Sequence, residues 1–108
     1  MESREPAERS LVVTATAYNS HPDQTEDEPQ VAAWGDWLAP GMKVIAVSRD
    51  LIELGLDHQT PVKIDGFPGE YVVLDKMHPR WSKRIDIYMG DDVEAARQWG
   101  ARKVEIRW

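Results

Sequence analysis

A chain of 108 residues has room for one domain with a modest core and is too short for two. A net charge of −6 and a sequence pI near 5.0 weigh against a nucleic-acid partner. The absence of cysteine excludes a disulfide framework and thiolate chemistry, and no apolar run approaches the length of a membrane span.

Residues 1–10, MESREPAERS, are polar and charged and are expected to form a disordered N-terminal segment. They contain no hydrophobic signal-peptide stretch, as expected of a cytoplasmic protein or of one whose leader has been removed. Residues 11–18, LVVTATAY, are rich in β-branched residues and read as a strand. Residues 19–30 are acidic and broken by Pro22 and Pro29, which predicts a surface loop, and residues 32–38 are a short piece with a turn at Gly35. Residues 43–47, KVIAV, suit a buried strand. Ser48, or almost as well Asp50, is placed to cap a short helical turn that ends at Gly55.

Residues 59–64 and 70–74 read as two strands joined by Asp65-Gly66 and Pro68-Gly69 punctuation, and 84–88, RIDIY, as another. Asp91 or Asp92 caps a helix that stops at Gly100, with its apolar face on Val93, Ala96 and Trp99 or on Ala95 and Trp99. Residues 103–108 alternate, with Val104, Ile106 and Trp108 on the inner side. The tally is six short strands and two short helical pieces without an internal repeat. A small closed barrel is the economical arrangement, because closure removes the exposed edges.

The stretch 71–89, YVVLDKMHPRWSKRIDIYM, stands out. A strand ends on Asp75, a loop carries Lys76, His78, Arg80, Trp81 and Lys83, and a second strand holds Asp86 between Ile85 and Ile87. A carboxylate inside a hydrophobic run breaks the local pattern, as functional residues do.

Together TATAYNS (14–20), KVIAVSRDLIELG (43–55), and LD (74–75) with RIDIYMG (84–90) resemble, in order and spacing, the 3D-domain family, named for three aspartates. The family includes the barrel domain of membrane-bound lytic transglycosylase A and the stationary-phase survival muralytic proteins of Gram-positive bacteria. The resemblance covers roughly residues 12 to 107. It implies a mainly β fold, a six-stranded double-psi β-barrel of the kind also found in RlpA-like proteins and the first domain of expansins. It further implies an extracytoplasmic location and peptidoglycan or a related glycan as partner.

The family's second and third aspartates fall on Asp75 and Asp86. Ser48 stands where the first is expected, with Asp50 two positions later. No threonine remains in the segment before the second strand, at residues 32–35, and the glycine-rich loop is replaced by KMHPRWSK.

The implied chemistry is cleavage of the β-1,4 bond between N-acetylmuramic acid and N-acetylglucosamine. The substrate's own C6 hydroxyl is the nucleophile and a 1,6-anhydro sugar is the product. One carboxyl group then suffices where ordinary glycosidases need two. It protonates the leaving oxygen and afterwards takes the proton of the C6 hydroxyl. Such an acid must begin protonated near neutral pH, which partial burial and a neighbouring carboxylate both favour.

On this reading Asp86 is the acid/base and Asp75, close across the barrel, its orienting partner. Tyr18, Ser48, Asp50, Lys76, His78, Trp81 and Trp34 are the candidate substrate-binding residues, the aromatics through sugar stacking. Read alone, Asp86 could simply pair with Arg84, Lys83 or a loop amide, and Asp75 could cap a turn. Trp99 and Trp108 are assigned to packing, and at least one of the five tryptophans is expected to be exposed. His21, His58 and His78 lack metal-ligand spacing, so neither metal nor cofactor is implied. The alternative reading is a non-catalytic glycan-binding barrel of the RlpA or expansin kind. A third is a module whose basic loop meets an acidic partner.

Overall fold

A computed structural model describes residues 9–19 and 30–108. The expected N-terminal disorder lies outside the described residues as far as residue 8, as does most of the predicted acidic loop. Ser10 belongs to the sheet, and Arg9 adjoins it. Arg9 exchanges backbone hydrogen bonds with Trp108, and the first strand, β1, runs Ser10–Tyr18.

A two-residue hairpin follows, β2 (Gln30–Val31) and β3 (Trp37–Leu38), then β4 (Val44–Val47) and the single-turn helix α1 (Arg49–Ile52). After these come β5 (Pro61–Ile64), β6 (Tyr71–Lys76), β7 (Arg84–Tyr88), helix α2 (Val93–Trp99) and β8 (Arg102–Arg107). The strands read from alternation and β-branching are the ones that form the barrel. Strand β5 starts later than predicted, because Gln59 adopts a left-handed φ of 71° and turns its amide to Val73 O at 2.6 Å.

The six longer strands close into a ring in the order β1-β7-β4-β6-β5-β8, with β8 returning to β1. β1 and β7 are parallel, as are β4 and β6, and the other pairs are antiparallel. Val13, Ile45, Val47, Val73, Ile85, Ile87 and Ile106 fill the interior, joined by Leu51 of α1. A second, smaller cluster lies outside the ring, where Ala32 and Leu38 of the hairpin segment cover Val44, Leu74 and Tyr88. That outer layer sets the position of the candidate site.

Helix α2 is capped by Asp92, whose carboxylate accepts from Ala95 N at 3.0 Å. Its inner side carries Ala95, Ala96 and Trp99, while Val93 is exposed. Trp99 and Trp108 pack against the core as expected, their indole N–H groups donating to Ala15 O and Leu54 O.

Candidate functional site

Asp75 and Asp86 lie on the outside of the barrel, on either side of Ala46, and not across its interior. In the strand register Ala46 of β4 pairs with Asp86 on one side and with Asp75 on the other, while Thr16 of β1 lies beside Asp86. Thr16, Asp86, Ala46 and Asp75 therefore form one lateral row over four strands. Ile85 and Ile87 point inward, so Asp86 between them points outward by ordinary period-two alternation. The expectation that Asp86 breaks the hydrophobic pattern is corrected on this point. Asp75 reaches the same face through a register shift between β4 and β6: Ile45 pairs with Val73, but Ala46 pairs with Asp75. The extra residue, Leu74, turns with Asp75 toward the outer layer.

Each carboxylate has a protein partner. Asp86 Oδ1 accepts the Thr16 hydroxyl, which also lies 3.3 Å from Ile85 O. Asp75 Oδ1 accepts Ala33 N at 2.8 Å and Lys76 N at 3.0 Å, which ties the hairpin segment to the end of β6. Turn capping, the plain reading of Asp75, is thus part of what it does.

Tyr18 unites the pair. Its ring packs on Tyr88 with centroids 5.4 Å apart, and its hydroxyl is buried with no protein hydrogen bond of full geometry. Burial, then the negative charges of Asp75 and Asp86, push the phenol far above its ordinary value of 10.0, so it stays protonated. A neutral O–H donor held beside two carboxylates is the most distinctive electrostatic feature of this face.

The remaining predicted residues fall into two neighbouring groups. Ser48, buried, and Asp50 hold the end of the basic loop. Arg84 N donates to Ser48 Oγ and Lys83 N to Asp50 Oδ2, both at 3.0 Å. Ser48 occupies the cap position of α1, but its hydroxyl serves Arg84 and not the helix. For Asp50, burial pushes the carboxyl up. Hydrogen bonds from the Ser48 hydroxyl and the amides of Lys83, Asp50 and Leu51 outweigh it and hold the group below its ordinary value. His78 is an exposed turn residue whose Nδ1 accepts from Arg80 N, and Trp81 lies under the guanidinium groups of Arg80 and Arg84.

On the hairpin side Trp34 stacks on His58 at 5.0 Å, with Lys76 Nζ 5.0 Å from its ring centroid. His58 Nε2 in turn meets the Asp36 carboxylate. The Trp34 ring is thereby engaged by protein through His58 and Lys76. The exposed indole is that of Trp37, at 70% exposure.

Thr16, Tyr88, Asp36 and His58 were not picked out by sequence reasoning. The TATAY alternation could have found Thr16, since it puts Thr16 and Tyr18 on one side of β1; the others depend on distant contacts. Among the described residues no three His, Cys, Asp or Glu side chains gather as a metal-binding group. Two clefts of about 630 and 330 Å³ lie between α2 and the β5–β6 turn, around Phe67 and Met89, and no sequence-predicted site residue lines them. Neither a protein-family model nor a curated protein matches this chain.

Proposed function

We propose that this chain is a double-psi β-barrel of the 3D-domain type, located outside the cytoplasm, that cleaves peptidoglycan glycan as a lytic transglycosylase. The parallel pairs β1/β7 and β4/β6, each joining strands far apart in sequence, support the barrel type. The observation that carries the function is the gathering of Asp86, Asp75 and the Tyr18 hydroxyl on one outer face. In this reading it is the protonated form of Asp86 that acts, giving its proton to the leaving glycosidic oxygen. The resulting carboxylate takes the proton of the C6 hydroxyl as that oxygen closes on the anomeric carbon. Thr16 holds one oxygen of Asp86, leaving the other for the substrate. The protonated Tyr18 hydroxyl lies in the field of both carboxyl groups and is the donor available to orient them.

The test is incubation with purified peptidoglycan followed by mass spectrometry for 1,6-anhydro-muropeptides. Wild type releases them and Asp86→Asn lowers the rate on the order of a hundredfold or more. Wild type releasing none sinks the enzymatic reading. A non-catalytic glycan-binding barrel is the second reading, favoured by the two backbone amides that already occupy Asp75 and by the exposed Trp37. Retention on peptidoglycan without product selects it.

A further inference from the structure

The loop from Met77 to Lys83 concentrates positive charge that the carboxylate face does not use. It is held at both ends. Met77 N donates to Val47 O at 2.9 Å, and Met77 O accepts Arg49 Nε at 3.0 Å. At the far end Lys83, with φ 49°, donates to Asp50, and Arg84 N donates to Ser48. Within it, Trp81 N donates to His78 O and Arg80 N to His78 Nδ1, both at 3.1 Å. The loop is therefore a fixed shelf.

Two guanidinium groups share the Trp81 ring, Arg84 at 4.0 Å and Arg80 at 4.8 Å from its centroid. Among the described residues no acid forms an ion pair with Arg80, Lys83 or Arg84, and Arg84 Nε is buried without an acceptor. Asp50, a carboxylate in contact with the loop, has its Oδ2 engaged by the Lys83 amide and its Oδ1 buried away from solvent. Like charges on one ring repel, and the indole offsets only part of that. A carboxylate bound to either guanidinium offsets that repulsion through charge-assisted hydrogen bonds. Contact with the indole already restrains both guanidinium groups, so less rotamer freedom is lost on binding.

We propose that this Trp81-centred face, with Arg80 and Arg84 at its middle and Lys83 and Arg49 at its edge, docks an acidic peptide segment. A short run of carboxylates feels the local positive field, because charges farther than about 8 Å are screened at physiological salt. A long, densely charged nucleic acid also meets the surface of a chain whose net charge is −6. The half-buried Trp81 adds an apolar contact beside the cations.

The test measures anisotropy of a labelled oligoglutamate peptide titrated with the whole chain at physiological salt, with further salt added as a variable. The expected result is saturable binding that weakens steeply with salt and is absent for oligoglutamine. Arg80→Glu, at an exposed position, weakens binding at least about tenfold with unchanged thermal unfolding. Arg84→Lys, which keeps the charge and loses the planar fork, weakens it by a smaller factor. Absence of saturable binding overturns the proposal. Binding that ignores Arg80→Glu overturns it too, as does single-stranded oligothymidylate binding as tightly as the peptide.

Discussion

Tyr18 is the residue whose chemistry is most constrained. Its hydroxyl is buried beside Asp75 and Asp86 without a complete protein hydrogen bond, and its ring is held against Tyr88. A buried, incompletely paired polar group adds little to stability, so its removal costs little. Tyr18→Phe is expected to change unfolding free energy by less than about 1 kcal/mol in a denaturant titration. Anhydro-product release, on the proposed chemistry, falls at least about tenfold, because the donor that orients the carboxylates is gone. A large loss of stability would mean that the hydroxyl holds the fold and not the site. Asp86 carries a different lesson. Its position was legible in the sequence, but the reason it stood out was not the right one. Two core isoleucines with an acid between them are what a half-buried strand should show. What marks Asp86 is the company it keeps through Ala46 and Thr16, and pairing register across four strands is not written in any single segment.

At the scale of elements, α1 and the basic loop are coupled through Asp50. This carboxylate is held below its ordinary value of 3.8, so the folded chain gives up that proton more readily than the unfolded one. Its contribution to stability is fully present above the unfolded value and is lost as pH falls through the folded value. Melting temperatures of wild type and Asp50→Asn are therefore expected to differ at neutral pH, wild type higher, and to converge below about pH 4. A gap that persists in acid would point to a cause other than ionisation.

Gly90, just after β7, makes a second element-level prediction. It has φ 59°, and a Cβ there would lie 3.0 Å from Pro40 Cα and 3.2 Å from Pro40 Cβ. Gly90→Ala is expected to lower stability by about 1–3 kcal/mol, read from the urea midpoint, since both strain and a backbone clash oppose it. The β2–β3 hairpin was the element least legible in advance. Two-residue strands carry no periodicity. This one is set by tertiary contacts: Ala32 and Leu38 on the outer cluster, Ala33 on Asp75, and Asp36 on His58. The register shift that turns Asp75 outward was hidden for the same reason.

For the whole molecule, closure was the inference the sequence carried best. Six short strand segments in so short a chain leave few ways to cover their edges, and the ring pairs all six. The order of strands in that ring was not readable, because parallel pairing of β1 with β7 depends on contacts about seventy residues apart. Closure rests on β8, which pairs with β1 along one side and with β5 along the other. Ile106 is its fully buried anchor, opposite Leu11 and Ile64. Ile106→Ala removes core volume that rigid strands on both sides cannot collapse to fill, and should cost about 2–5 kcal/mol. A domain of ordinary stability, about 5–15 kcal/mol, would keep little margin after that loss. Glu105→Ala, one residue away on the exposed side, is the control and should shift stability by less than about 0.5 kcal/mol. Loosening β8 frees the edges of β1 and β5 at once, and unpaired edges recruit other chains. The Ile106 variant is therefore expected to unfold at a lower denaturant midpoint and, on warming, to aggregate before wild type does, followed by light scattering. If it melts early but stays monomeric, the barrel does not depend on β8 to guard its edges.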